Sequence, residues 1–579
     1  MTHLFFSKWG YGLCFVLLLT LTTAVGMQSL SAQAESAIPS PAFSQPSGFY
    51  DEPFELTILS AEGFAVYYTL DGSVPDETDL LYAEPLAVRD LSQEPNTLSA
   101  RTDIWPSGLL GDAPAPLAPV DKASVIRAVA VDREGNRSDV STAVYFISFQ
   151  DKQSFYEDFR VVSLVLDPDD LFDDARGIYV LGDTYKQWRN SSEYDPDLDE
   201  WFVPGNYQNR GKDWERPAYL QVFDQGKEVA FAGVGVRIHG ATSRRLAQKS
   251  FNVYTRKEYG TDVIGYDLYN GMNYSEATDE PITEYDSFIL RNCGNDRIAR
   301  IRDRLIQKLV KGRNFLTQAI VPCIVFINGE FWGHYEITEK LTDDFIHDHF
   351  NVSKKNVVLI KNEEIEEGTE EDAVALADFR EWIRETDFAE EEAYKRLGEL
   401  IDLDGLAEYM STEFYISNWD FGDNNVALWK ARDTDPDNEW ADGKWRFILY
   451  DTEYSTGIYG EATIDMNAIE MLREKDCIIS DFFFGAMENP DFRKQFSEAY
   501  EDVATGDFAY GRVNDAIDDL AGSYWGLILA TNDRFWPGWS DETDEYEALE
   551  SEFQDIREFF AERQQYSDDH VAELMSQYH

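Results

Sequence analysis

The 579-residue sequence predicts an α+β protein, with a small all-β unit ahead of a larger unit that is strand-rich at its start and helical at its end. Three observations point there. Between residues 48 and 149, apolar and polar residues alternate in short runs broken by Gly, Pro and Asp. From 161 to 338 further strand-like runs lead to a hairpin with an Asn328-Gly329 turn, interrupted by one stretch of helical spacing. Beyond 370 the apolar spacing is that of helices, broken once by an acidic loop and a second hairpin.

Taken in order, residues 1–34 have the form of a secretory signal: Lys8 in a short basic start, an apolar run over 11–27, and Ala32-Gln33-Ala34 as a small-residue cleavage site. This implies export to the cell envelope, the periplasm or the medium. An uncleaved membrane anchor is the competing reading, because the apolar run approaches spanning length. Residues 35–47 read as an Ala/Ser/Pro-rich linker. An immunoglobulin-like β-sandwich is expected over 48–150, with strands at 54–59, 65–70, 125–131 and 143–147 and a Pro-rich insertion at 94–117. The larger unit is expected over 155–579, its first lobe to about 345 and its second from about 346. The first should hold strands at 161–166, 177–180, 218–223, 234–238, 249–254 and 287–291, a helix over 296–311 capped by Asp296, and the hairpin 320–327 with 331–338. A strand at 356–360 and helices near 371–385, 390–400, 404–416, 479–505, 511–530 and 541–575 complete it.

Composition excludes several functions. There are 109 acidic residues against 50 Lys plus Arg, a formal net charge of −59, which argues against general binding to nucleic acid or anionic membranes. Hydrophobic residues make up 43% and the acids are spread throughout, so this is no disordered acidic tail. Such self-repulsion is tolerated where salt screens it, which suggests a halophilic source. Cys14 falls in the signal; Cys293, Cys323 and Cys477 form neither an even set nor a zinc-like spacing, and read as buried thiols.

The chemistry concentrates at 417–425, Ser-Asn-Trp-Asp-Phe-Gly-Asp-Asn-Asn, and at 445–453, Trp-Arg-Phe-Ile-Leu-Tyr-Asp-Thr-Glu. Asp420 and Asn425 are five residues apart, and Asp451 closes the second strand of the adjoining hairpin. Transfer of a phosphoryl group to a hydroxyl needs one carboxylate to orient the hydroxyl, and an amide oxygen with a second carboxylate to hold metal ions. Protein kinases place their catalytic-loop Asp and Asn at this spacing, with a hairpin and a metal-binding Asp after them. Asp420-Phe421-Gly422 spells the kinase metal-binding tripeptide, yet it ends a helix and precedes the hairpin, so by position Asp420 is the catalytic acid and Asp451 the metal acid. The plainer reading is turn and capping chemistry. A second constellation lies upstream, where strand 234–238 enters the loop Gly240-Ala-Thr-Ser-Arg-Arg245, with strand 249–254 after it. Arg237, Ser243, Arg244 and Lys249 are candidates to grip polyphosphate, as backbone amides, guanidinium and ammonium do in such loops. The plainer alternative is a basic turn on a β-ribbon. Glu339 and Lys340 end the first hairpin, where a kinase would carry its adenine-binding hinge.

These segments together resemble the CotH family, the spore coat protein H-type secreted kinases. The resemblance is carried by Asn206-Tyr207, Asp213-Trp-Glu-Arg216, Gly235-Val-Arg-Ile-His-Gly240, Ser243-Arg244, Lys249-Ser-Phe251, Leu290-Arg-Asn292, Arg302-Asp303, Asn328-Gly-Glu-Phe-Trp-Gly333, Thr338-Glu-Lys340, Asn418-Trp-Asp420, Asn424-Asn425 and Trp445 to Asp451. It implies a two-lobed, atypical protein-kinase-like fold using ATP with Mg²⁺ or Mn²⁺, and transfer of the γ-phosphate to Ser or Thr of extracytoplasmic proteins. By matching position it assigns Asp420 as the catalytic acid and Asn425 and Asp451 as metal ligands, with Asn424 and Glu453 beside them. The chain departs from the family pattern at Ala241-Thr242, at Gln248 before Lys249, at Glu453 where an Asp is usual, and at Thr456-Gly457. Residues 48–150 resemble the β domain appended to chitobiases, through Tyr67-Tyr-Thr-Leu-Asp-Gly-Ser73 and Pro75. The rival function is a cell-surface adhesion protein on a kinase-like scaffold. A two-carboxylate glycosidase would leave Asn425 and the basic loop unexplained. Protein substrates are the partners implied; nucleic acid is not, nor membrane beyond an uncleaved anchor.

Overall fold

The computed structural model describes residues 38–106, 115–149, 152–537 and 542–578; the signal segment, the start of the linker and part of the Pro-rich insertion lie outside these. The chain is a mixed α/β protein whose strands precede most of its helices. Among the described residues no helix is long and apolar enough to cross a membrane.

The N-terminal strands include Ala65–Thr69, Ser124–Val131 and Ser141–Ile147, paired antiparallel in that order, with Phe54–Leu56 and Leu86–Val88 as a separate pair. Leu56, Val66, Val88, Ile126, Ala128 and Tyr145 fill the core between them. Several contacts tie this unit to the larger one, among them two sets. Gly48 pairs with Lys227, and in the insertion the amides of Thr97, Leu98 and Ser99 converge on the buried Glu330 carboxylate at 2.7, 3.2 and 2.7 Å.

Seven strands build the next layer: β1 (Arg160–Val165), β2 (Arg216–Asp224), β3 (Lys227–Ile238), β4 (Phe251–Thr255), β5 (Ser287–Arg291), β6 (Ile320–Ile327) and β7 (Glu330–Glu339). Their order is β2-β1-β6-β7-β5-β4-β3, and β3 pairs again with β2, so the sheet closes on itself. Val162, Leu164, Val234, Val236, Phe251, Val253, Phe288, Leu290, Val325 and Ile337 share the interior. Because side chains alternate along a strand, Arg237, Asn252, Tyr254, Ile289 and Arg291 face the other way. Asn328 and Gly329 form the β6–β7 turn, both with positive φ (45° and 84°), as the Asn-Gly pair predicts. Residues 177–180, expected as a strand, form bends and carry no ladder.

The expected helix over 296–311 is shorter: α1 spans Arg302–Leu309. Arg300 takes a positive φ of 55°, which ends any helical run before it. Asp296 still serves the helix start, its Oδ2 accepting from the amides of Ile301 and Arg302, both at 2.8 Å. After β7 come β8 (Val357–Lys361), β9 (Glu364–Glu367), the long buried α2 (Leu403–Ile416), β10 (Ala427–Ala431) and β11 (Arg446–Ile448), with sheet order β9-β8-β10-β11. The run expected as one helix at 479–505 is two, Ile478–Met487 and Pro490–Asp502. Asn489 caps the second and Pro490 opens it, a residue that cannot continue the first. Helices α3 (Tyr510–Phe535) and α4 (Glu542–Ser576) close the molecule, α4 burying Leu549, Phe553, Ile556, Phe559 and Phe560. Cys293, Cys323 and Cys477 are free and buried.

Candidate active site

The acidic loop begins where α2 stops. Ser417, at φ 54°, ends the helix in the left-handed conformation. The last turn's carbonyls are held from α4: buried Arg563 donates from Nε to the Tyr415 carbonyl at 2.8 Å and from Nη2 to that of Phe414 at 2.8 Å. Its Nη1 reaches the Met466 carbonyl at 3.0 Å. Burial pushes this guanidinium down to about 10. Asn418 donates to buried Glu413 at 2.9 Å, and Phe421 packs against Tyr409 and Phe414. Lys475 clasps the turn through the Phe421 carbonyl (2.6 Å) and the Asp423 carboxylate (2.9 Å). That ion pair and its hydrogen bond lower the Asp423 pKa. Asp420 makes no hydrogen bond among the described residues; desolvation first and the nearby Asp451 second raise its pKa. A carboxylate so placed is better suited to take a proton than an exposed one.

Asn425 and Asp451 both have positive φ, 52° and 55°, a costly conformation for non-glycine residues that recurs at functional sites. Asn425 Nδ2 donates to the Asp451 carbonyl at 3.0 Å, which fixes the amide's orientation and leaves its Oδ1 as the free acceptor. Asp420, Asn424, Asn425, Asp451 and Glu453 line one cleft of about 640 Å³, across from Arg237, Gly240, Ser243, Arg244 and Arg291 and alongside Lys340 and Lys361. Five of these cations converge here in a chain of net charge −59.

Arg291 is the residue that sequence reasoning missed. It ends β5 on the cleft face and donates to Asp303 of α1 at 2.6 Å, to Glu453 at 2.6 Å and to Asp451 at 2.8 Å. A strand cation paired to a helix acid and to Asp451 parallels the Lys–Glu pair of kinases, with Arg and Asp in its place. Burial would lower the Arg291 pKa, but the three acids raise it well above its usual value. The signal was present in Leu290-Arg-Asn292 and Arg302-Asp303, which carry part of the family resemblance but suggested no role by themselves.

Two expected contacts are not made. Lys249, the expected start of the strand, lies two residues before β4; it is fully buried, donates to the carbonyls of Arg244 (2.8 Å) and Leu246 (2.7 Å), and lies 4.1 Å from the Tyr207 ring centre. Burial, reinforced by Arg244 and Arg245, pushes its pKa well down. It braces the loop from behind and does not reach the cleft. Glu339 turns its carboxylate away, onto Asn273 (2.7 Å), the Ala319 amide (2.7 Å) and His349 (3.0 Å). Arg237 and Arg244 do line the cleft but are partly committed. Arg237 donates from Nε and Nη2 to one oxygen of buried Glu215, Oε2, at 2.8 and 2.6 Å. Burial would raise Glu215, yet bonds from Lys212, Arg237, Tyr259 and Arg256 outweigh it and hold that acid down at about 2. Arg244 donates to the Tyr207 carbonyl at 3.0 Å.

Among the described residues no three His, Cys, Asp or Glu are grouped to hold a metal. The donor set fits Mg²⁺ or Mn²⁺ nonetheless, since such ions are held by one or two carboxylates together with substrate phosphates and water. Asn425 Oδ1 and the half-exposed Asp451 carboxylate suit that role. Glu453 does not: its oxygens are taken by Arg291 and by the Asn295 amide at 2.8 Å, and burial raises its pKa to about 8 against the pull of Arg291.

A closed sheet joined through a cleft to a helix–acidic loop–hairpin is the geometry of a kinase-type protein. The family model described as CotH kinase protein matches residues 236–567, more than half of the chain, and the chain belongs to that family. A model described as Fn3 associated matches 49–145, the stretch that resembles the β domain of chitobiases. No curated protein matches the chain. The CotH match begins inside β3, so β1 and β2 lie before it although the sheet closes only through them.

Proposed function

We propose that the protein is an exported kinase that uses ATP with a divalent metal ion to phosphorylate Ser or Thr of extracytoplasmic proteins. The observation that supports this best is the single cleft shared by Asp420, Asn425 and Asp451, the Gly240–Ser243–Arg244 loop and Arg291. Asp420, desolvated and without a hydrogen bond or ion pair among the described residues, orients the acceptor hydroxyl and takes its proton. Asn425 and Asp451 are the groups that would hold the metal, which when bound neutralises phosphate charge. Arg291 keeps the Asp451 carboxylate in place from the opposite wall, and Ser243 with the loop amides covers the phosphates. Lys340 and Leu341 line the cleft at the expected hinge, with Ile289 across from them as an apolar wall for a base. Export rests on the signal-like start of the chain.

Incubation of the purified protein with labelled ATP, Mg²⁺ or Mn²⁺ and a mixture of exported proteins tests the reading. Asp420→Asn keeps the size of the side chain but loses its charge, so transfer should fall by at least about a hundredfold while ATP binding persists. Wild-type transfer by that variant would overturn the assignment; loss of ATP binding would mean that Asp420, not Asp451, holds the metal.

A further inference from the structure

Lys361 ends β8 on the floor of the cleft, and neither the metal site nor the acceptor site gives it a role. Period-two alternation sets it in the row of Val357 and Leu359, which pack with Leu341 and Tyr450 in one small core under the hinge. Its place is fixed by the sheet. Lys361 pairs with Ala427 of β10, two residues beyond Asn425, and the next residue, Asn362, donates its amide to the Val426 carbonyl at 2.9 Å. Asn362 also accepts from the Tyr450 hydroxyl, beside Asp451. The ammonium lies 4.4 Å from the Tyr450 ring centre. It forms no hydrogen bond or ion pair among the described residues, whereas Arg237, Arg244, Arg291 and Lys249 spend donors on protein groups. Glu366 and Asp451 are near enough to favour its charge, but desolvation outweighs them and brings its pKa down to about 8. Lys340, over the Tyr254 ring at 5.7 Å, is likewise unpaired among the described residues, and desolvation lowers its pKa too.

We propose that Lys361 is the side chain that receives the polyphosphate of the nucleotide, with Lys340 beside it, so that the phosphate-gripping ammonium comes from the strand after the hinge and not from β4. A cation held between the hinge and Asp451 with no hydrogen bond or ion pair among the described residues has donors to offer, and a polyphosphate spanning that interval would accept them. The proposal rests on the nucleotide-binding reading of the cleft, and the test separates the two.

Binding of ATP, adenosine and inorganic tripolyphosphate is measured by calorimetry for the wild type, Lys361→Met and Lys249→Met, with circular dichroism to check folding. Lys361→Met should weaken ATP and tripolyphosphate by tenfold or more and leave adenosine within twofold, while Lys249→Met, if folded, changes neither ratio. Equal affinities for ATP in Lys361→Met and wild type, or an equal loss for ATP and adenosine, would overturn the proposal and leave the nucleotide reading standing. A wild type that binds tripolyphosphate through Lys361 but not ATP would overturn the nucleotide reading and keep the anion site. A wild type that binds none of the three would overturn both. Lys340→Met in the Lys361→Met background should weaken ATP further; no added loss would remove Lys340 from the site.

Discussion

Replacing Arg291 by Met should unfold the protein several degrees earlier and do so in a pH-dependent way. The guanidinium is about 10% exposed and bonds three carboxylates, two of them with side chains only 2% (Asp303) and 4% (Glu453) exposed. Removing the cation strands two buried acids, and breaking a buried pair in this manner costs about 3–5 kcal/mol. At ~2 °C per kcal/mol for a large domain, the melting temperature should fall by about 6–10 °C at pH 8. The acids have one escape, which is to fold protonated. Burial already lifts Glu453 to about 8 with Arg291 present, and without it the folded pKa must rise further. A folded-state pKa above the unfolded value means stability is retained below the unfolded pKa and lost as pH rises. The deficit should therefore shrink by about half or more at pH 5, and Arg291→Met with Glu453→Gln should recover part of it at pH 8. Differential scanning calorimetry at the two pH values measures both effects. A deficit under about 1 kcal/mol, or one independent of pH, would refute the reasoning that Arg291 compensates buried charge.

The same contacts carry other expected outcomes. Arg563→Met should lower the melting temperature by several degrees and slow transfer, because it frees two buried carbonyls at the end of α2, those of Phe414 and Tyr415, and the part-buried carbonyls of Ile464 and Met466; unchanged melting would show that the acidic loop needs no brace from α4. Burial raises Glu336 to about 7 and Glu413 to about 8, so stability should fall from pH 5 to pH 8, and Glu413→Gln should flatten that slope; a melting curve rising across this interval would contradict the burial argument. Added NaCl should raise the melting temperature of a chain of net charge −59, whereas insensitivity between 0.1 and 1 M, roughly a threefold change in screening length, would argue against charge repulsion as a limit on stability.

The elements that were legible were those whose pattern is local. Asn328-Gly329 specified its turn alone, and the apolar 3.6-residue spacing that includes Leu406, Tyr409 and Met410 was enough for α2. Closure of the sheet through β2 and β3 was not, because no residue of either strand encodes which partner completes the ring. The broken helix at Glu488-Asn489-Pro490 was readable in principle, since Pro is a strong stop that outweighs continuous apolar spacing on either side of it.

The candidate site shows the same division more sharply. Asp420, Asn425 and Asp451 are tied by one loop and one hairpin, so sequence spacing alone brings them into one cleft. Lys249 failed for a reason the sequence did contain. It stands an even number of residues from Phe251 and Val253, which an inward-facing apolar row requires, whereas Arg237 and Arg291 stand one residue from theirs. A strand residue's sign of charge says nothing about its face; its parity with the neighbouring apolar residues does. Applied to β5, that rule turns Phe288 and Leu290 inward and sends Arg291 to the cleft; in β8 both rows are apolar, Val357 and Leu359 on one face and Val358 and Ile360 on the other, so parity does not place Lys361. Parity cannot tell which acid an outward cation meets. That depends on Asp303, Asp451 and Glu453 arriving from three separate elements, and it is why the strand cation of this site became visible only once the chain was folded.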